Sequence, residues 1–310
     1  MPSAVECVES AFREQGDVGV VAHAPFMLKC EGRQLRVNAG ALKLLKRGGL
    51  WAGMRGGIVY MLFDTESERL LGIIAYPFPY VRVGATVGVA VRRLSRPDVS
   101  RLLLIGSGRI AIEALAGVSA VRDFSRVEVS SRRPTSEQDF CEKARKRLGL
   151  DVHPVASLEE AVSHADVIVL ATNAEGPVIQ SDWLRPGTLV ATAGIRCEIP
   201  EELYLEADMV VVGSKVHETG YVDEDVYTSH DNTLVRLAND GRLPWERVWE
   251  LGDVLNGDVA VPDGIAVFRE SQGGFDDVAL ANWILEQAKT RGLGQEWNGI
   301  DLAFHKPETE

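Results

Sequence analysis

No stretch of this 310-residue chain approaches the ~20 consecutive apolar residues that a membrane-spanning helix requires, and its N-terminus lacks a charged region followed by an apolar run. A cytoplasmic protein with no membrane partner is the expectation. Basic charge is also in deficit: 33 Lys and Arg face 45 Asp and Glu, a formal net charge of −12. That balance argues against nucleic acid, whose binding needs a basic face to release counterions. Cysteine is scarce, with Cys7, Cys30, Cys141 and Cys197 far apart and no C-x-x-C or Cys/His cluster. Neither zinc nor a redox pair is expected, and reduced thiols fit the cytoplasm. The six tryptophans are too scattered to form an aromatic cage.

What is present is an ordinary globular composition, 45% hydrophobic and 25% charged, at a length that suits two domains. The chain opens with Val5, Val8, Ala11 and Phe12 at helical spacing. Glycines at 48, 49, 53, 56 and 57 then interrupt the pattern, before apolar runs at Ile58 to Phe63 and Leu71 to Ala75 that read as strands. A polar stop at Ser95, Arg96, Pro97 and Asp98 marks a boundary. Beyond it, short apolar strands at Leu102 to Ile105, Val127 to Ser130, Val167 to Ala171, Leu189 to Ala193 and Met209 to Val212 alternate with helical segments. This is the pattern of an α/β fold with a doubly wound parallel sheet of Rossmann type. Ser157 with Glu160 makes a capping box before a short helix ending near His164.

The strand Leu102 to Ile105 runs into Gly106, Ser107, Gly108, Arg109, Ile110 and Ala111, and then into helical sequence. The first glycine permits the tight turn, the second lets backbone approach a pyrophosphate, and the small third position lets the helix pack on the strand. The phosphate then meets unpaired N–H groups at a helix N-terminus. An acid about 20 residues further on would accept from the ribose hydroxyls of NAD. That place reads Ser130, Ser131, Arg132 and Arg133, so NADP(H) is preferred and NAD(H) is the alternative, because guanidinium and hydroxyl groups suit a 2′-phosphate. Thr172, Asn173, Ala193 and Gly194 follow later strands and fit the same crevice; turn residues there also serve purely local roles.

Taken in order, Leu103 to Leu115, Ala165 to Thr172 with Pro177 to Ile179, Trp183 to Gly187, Glu250 to Asp253 with Gly257, and Val267 and Phe268 leading to Asp277 and Ala281 resemble the ornithine cyclodeaminase and mu-crystallin family. The resemblance implies a Rossmann domain over residues 98–270. It also implies a substrate-binding and dimerisation domain built from residues 1–97 and a C-terminal segment, 271–310. A homodimer with substrate in the interdomain cleft follows from it. The shared chemistry is hydride exchange between a nicotinamide and an amine-bearing carbon of a small imino or amino acid. Arg82 matches the arginine that clamps a substrate carboxylate, with Arg36 placed as a second, and Gly273 falls in the glycine turn before the last helix.

The substrate side departs from the family. The aspartate of its cyclodeaminases falls near Ile195 and Arg196 here, and its lysine has no counterpart in the shortened stretch from Leu50 to Gly57. Arg55 is a poor base there. His23 and His217 are candidates to reach the cleft, although lone histidines are usually surface or satisfied core residues, and Cys197 is a candidate to line the pocket with no chemistry assigned to it. Asp277 reads equally as a helix cap. No catalytic residue is assigned. The expectation is an NAD(P)-dependent reductase of ketimines or imino acids, or an amino acid dehydrogenase. The alternatives are conversion of ornithine to proline and ammonia, and a cofactor-dependent small-ligand binder without turnover.

Overall fold

In the computed structural model the described residues are 1–54, 57–75, 78–194, 197–220, 232–271 and 273–296. Helix α1 (Pro2–Asp17) buries Ala4, Val5, Val8, Ala11 and Phe12, the stripe that its sequence spacing predicts. There follow β1 (Val21–Ala22), β2 (Phe26–Cys30), β3 (Arg33–Leu42), β4 (Arg47–Met54), β5 (Gly57–Asp64) and β6 (Arg69–Ile74). They form an antiparallel sheet in the order β1-β3-β4-β5-β6, with β2 also on β3. Glu31 and Gly32, both with positive φ (48° and 75°), make the tight turn between β2 and β3.

Of the glycines expected to interrupt the chain, Gly48, Gly49, Gly53 and Gly57 lie inside this sheet instead, and Gly56 falls outside the described residues. Gly48, Gly49 and Gly53 belong to β4. A Cβ at Gly49 would collide with the ring of Tyr60, whose side chain crosses β4 from the neighbouring strand. The absence of a side chain here is a packing requirement and not a break.

Helix α2 (Phe78–Leu94) leads to β7 (Arg101–Ile105) and α3 (Arg109–Ser119). The alternation continues through β8 (Arg126–Ser130), α4 (Pro134–Leu148), β9 (Val152–Pro154), α5 (Leu158–His164), β10 (Val167–Leu170), β11 (Leu189–Thr192), α6 (Glu201–Glu206) and β12 (Met209–Val212). It closes with α7 (Lys215–Gly220), α8 (Thr233–Asn239), β13 (Val248–Glu250), α9 (Leu251–Asn256), β14 (Ala266–Arg269) and α10 (Phe275–Thr290). The eight strands pair in parallel in the order β13-β12-β14-β11-β10-β7-β8-β9. All five expected parallel strands are present, and Ser157 caps α5 by accepting from the Glu160 backbone N–H. Sequence periodicity missed β9 and β13, three residues each, and β14, four residues that end in Arg269. Such lengths carry almost no periodic signal.

Both faces of the parallel sheet are covered. Leu102 and Leu104 of β7 join a core with α1, α2, α3 and α10, while Leu103 and Ile105 join a second core with α5, α6 and α8. Helix α10 lies across β3 to β6, and Phe275 at its start meets Phe12 of α1 edge-on, with ring centroids 5.2 Å apart. Helices α2 and α3 cross at Gly84 and Gly117, where a Cβ on either would strike the backbone of the other helix. This close crossing packs α2, which follows β6 of the antiparallel sheet, directly on α3. Among the described residues, no helix is long and apolar enough to cross a membrane.

Candidate active site

The loop from β7 to α3 has the geometry that its glycines predict. Gly106 has φ 121°, and a Cβ there would collide with the Ala171 carbonyl at the end of β10. Gly108 differs, since a Cβ there would meet nothing within 4 Å, leaving space beside the backbone. It precedes the first turn of α3 and offers no side-chain cap. Ser107 and Ile110 are half-buried, and Ala111 is sealed against the sheet. Arg109 lies over the Tyr80 ring, 5.3 Å from its centroid. An open, uncapped helix start beside a bare backbone fits the pyrophosphate of a dinucleotide.

At the end of β8, the Ser131 backbone N–H donates to Glu137 Oε1 at 2.7 Å, and its hydroxyl donates to the Arg133 carbonyl at 3.0 Å. These bonds set the turn into α4. Arg132 and Arg133 are exposed on it.

The ends of β10 and β11 are tied together by a residue that sequence reasoning passed over. Glu198 is fully buried and accepts from the Thr172 N–H at 3.0 Å, the Thr172 hydroxyl at 2.7 Å, the Gly194 N–H at 3.0 Å and the Thr192 hydroxyl. Burial raises its pKa, opposed by these donors and by Arg269. The Thr172 hydroxyl therefore serves Glu198 and also accepts from the Ala174 N–H. Asn173 is exposed, Ala193 buried and Gly194 half-buried along the crevice. A glutamate four residues beyond a strand-end glycine carries no distinctive signal. Cys197, singled out instead, donates to the Ala174 carbonyl.

Arg82, on α2, is 1% exposed. Its Nε donates to Asp277 Oδ1 at 3.1 Å, its Nη1 pairs with Glu270, and Asp276 Oδ2 lies 3.5 Å from Nη1. Asp277 also accepts from the Trp51 indole N–H at 3.1 Å, and Asp276 from the Thr86 hydroxyl at 3.2 Å. Asp277 is therefore a buried ion-pair partner in the first turn of α10, while Gly274 occupies the N-cap position. Burial and the neighbouring Asp276 push its pKa up to about 6, against the pull of Arg82. Arg36 is half-buried on β3, two residues from Asn38 and so on the same face. Gly273 is buried beside the Phe275 ring, whereas Arg55, Ile195 and Arg196 lie outside the described residues.

His217 sits where the two sheets meet. It is 0% exposed on α7, which follows β12, and its Nε2 lies 3.1 Å from Oδ1 of the buried Asn38. Burial, with Arg82 and His23 nearby, pushes its pKa down to about 3. Next to it, Glu218 accepts from Arg269 Nε at 2.8 Å and from Asn232 at 2.9 Å, anchoring α7 to β14. Arg82, Glu270, Asn38 and His217 thus gather at the carboxyl edge of β12 and β14, the edge along which ligands bind in open α/β sheets. Among the described residues no His, Cys, Asp and Glu cluster could hold a metal.

Three comparisons bear on this arrangement. The model of the ornithine cyclodeaminase/mu-crystallin family matches residues 58–292. The chain is 30% identical over 250 residues to a Delta(1)-pyrroline-2-carboxylate reductase of Bacillus cereus, covering 77% of this chain and 73% of the relative. Its fold is similar to that of the Thermococcus litoralis Delta(1)-pyrroline-2-carboxylate reductase in complex with NADH and L-proline (TM-score 0.81, 22% identity, 95% of each chain). It is also similar to that of the iminosuccinate reductase of Paracoccus denitrificans in complex with NAD+ (TM-score 0.83, 20% identity, 95% and 94% of the chains).

Proposed function

The chain belongs to the ornithine cyclodeaminase/mu-crystallin family, and from that footing we propose that it is a nicotinamide-dependent oxidoreductase that reduces the C=N bond of a small imino acid. The observation that carries this reading is the open, uncapped turn at Gly108, on the same carboxyl edge where side chains of both sheets converge. Gly106 to Ala111 would hold the pyrophosphate, and Ala193, Gly194, Thr172, Asn173 and Gly273 would line the crevice beyond it. When bound, the nicotinamide supplies a hydride. The names of the relatives point to a cyclic imine bearing a carboxylate.

NADP(H) is the preferred cofactor in this reading, supported by exposed Arg132 and Arg133 and by Ser130 and Ser131 at the positions where an NAD site carries its acid, the nearby Glu137 being engaged by the Ser131 N–H. The substrate carboxylate goes to Arg36. Arg82 holds Asp277, Asp276 and Glu270 in place through Nε and Nη1, and its Nη2, which none of these carboxylates takes, would share the substrate carboxylate with Arg36. We read the antiparallel sheet, with α1 and α10, as the substrate domain. Its outer face, opposite Asn38 and Trp51, exposes Phe26, Leu28, Val59 and Ile73, an apolar surface suited to a second copy of the chain. Cys7 and Cys141 form no disulfide, which suits a reducing cytoplasm.

The test is to follow NADPH absorbance with Δ1-pyrroline-2-carboxylate and its six-membered homologue. Oxidation that yields the cyclic amino acid is expected. Proline and ammonia from ornithine would favour the deaminase instead, and a cofactor-induced rise in Tm without turnover would favour a ligand binder.

A further inference from the structure

The contact between His217 and Asn38 specifies the ring's tautomer. An amide oxygen only accepts, so with Asn38 Oδ1 at 3.1 Å the proton sits on Nε2. In a neutral ring Nδ1 then carries a lone pair. That atom is buried and has no hydrogen-bond partner among the described residues, a condition native interiors seldom leave unexplained. We propose that His217 Nδ1 accepts a hydrogen bond from the N–H of the substrate's imine nitrogen, so that His217 orients the C=N bond and distinguishes an N–H imine from one without that hydrogen.

Three observations support this assignment, which rests on the imine-reductase reading. First, the ring is held in place at both ends of its environment: Asn38 fixes Nε2, and the adjacent Glu218 ties α7 to Arg269 and Asn232. Second, burial, followed by the charges of Arg82 and His23, opposes protonation of the ring, so Nδ1 stays an acceptor. Third, Arg36 lies two residues from Asn38 on the same face of β3, about 7 Å along the strand. This puts a cation on the strand that holds the ring, the one to which the proposed function assigns the substrate carboxylate.

The chemistry balances without a proton from His217. In the protonated imine, hydride adds to carbon, the π pair of C=N becomes the nitrogen lone pair, and the N–H bond is kept. Nδ1 accepts that N–H before and after the step. A weakly basic imidazole suits such a role, which calls for an acceptor and no proton transfer.

Two planar ligands test the assignment without turnover. Pyrrole-2-carboxylate has a ring N–H, and furan-2-carboxylate has the same shape with an oxygen in its place. Calorimetry on NADP+-loaded protein should show at least tenfold tighter binding of the pyrrole, and His217→Leu should erase that preference while leaving furan binding within about threefold. A wild-type ratio near one, or the same ratio in the variant, overturns the assignment. Should His217→Leu fail to fold, judged by loss of its NADPH-induced rise in Tm, the wild-type ratio alone decides. NADPH oxidation by Δ1-pyrroline-2-carboxylate on the same preparation separates the two claims. Turnover with a ratio near one overturns the role of His217 alone, and no turnover with any imine overturns both.

Discussion

Arg82 and Asp277 are both sealed from solvent, at 1% and 0% exposure, and Arg82 Nε donates to Asp277 Oδ1 at 3.1 Å. The pair joins α2 to the first turn of α10 beneath the antiparallel sheet, with Trp51 on the second Asp277 oxygen. Removing the guanidinium would leave Glu270, Asp276 and Asp277 buried without their shared cation. Arg82→Met is therefore expected to lower stability by about 3–5 kcal/mol, the range for breaking a buried ion pair. Urea unfolding monitored by tryptophan fluorescence measures it. A loss below about 1 kcal/mol would mean that the cluster is not the scaffold described above.

The imidazole of His217 gives a pH signature. An unfolded histidine takes up a proton near pH 6.5, whereas burial and the nearby Arg82 and His23 delay this in the folded protein to about 3. Between these values the unfolded chain binds more protons, so this contribution is complete above pH 6.5 and is lost as pH falls toward 3. The slope reaches at most about 1.4 kcal/mol per pH unit. The stability difference between wild type and His217→Leu, measured in urea at pH 7 and pH 5, should shift against the wild type on acidification. A difference that does not vary with pH would place the ring in a far more hydrated setting.

Much of this architecture can be read from residues that obey a period. Val5, Val8, Ala11 and Phe12 specify α1, and the run Leu102 to Ala111 specifies strand, turn and helix, because there local pattern and tertiary role agree. The antiparallel sheet is harder to see. In β4, Gly48, Gly49 and Gly53 look like breakers until Tyr60 is seen to cross the strand at Gly49. Glu198 is invisible as a functional residue, and His217 shows only as one of two lone histidines set against the cleft, for a different reason. Their partners, Thr172, Gly194 and Asn38, are 26, 4 and 179 positions away, and only the fold brings them together.

Glu198 itself makes a graded prediction. Glu198→Ala leaves the Thr172 backbone N–H without an acceptor and the Gly194 N–H with only the long 3.4 Å contact to the Thr192 hydroxyl, at about 1–3 kcal/mol for a buried donor left unsatisfied. Glu198→Gln keeps one acceptor oxygen and should lose less than half as much. Because Thr172 to Ala174 and Ala193 to Gly194 border the crevice, the alanine variant should also bind NADPH at least tenfold more weakly. Urea unfolding and fluorescence titration check the two effects, and equal losses in both variants would contradict the network.

For cofactor choice, Arg132→Ala should weaken NADPH by roughly tenfold or more, the scale of one charge-assisted hydrogen bond to a phosphate, while NADH changes less than twofold. Titration of protein fluorescence with each cofactor reads the ratio directly. An equal effect on both would remove the 2′-phosphate from this turn.

The two glycines of the β7–α3 turn should respond oppositely to the same substitution. At Gly106 the φ of 121° is one that side-chain-bearing residues rarely adopt, and the added methyl would strike the Ala171 carbonyl, so Gly106→Ala should destabilise the unliganded protein by about 1–3 kcal/mol. At Gly108 nothing in the protein opposes a Cβ, so Gly108→Ala should leave unliganded stability within about 1 kcal/mol. The methyl would instead stand where backbone must approach the pyrophosphate, and NADPH affinity should fall at least tenfold. The contrast is what matters, since a turn that served folding alone would make both variants fragile and neither selectively blind to cofactor. Thermal unfolding with and without NADPH distinguishes the cases. A Gly108→Ala protein whose Tm rises with NADPH as much as the wild type would mean that the dinucleotide does not sit on this turn.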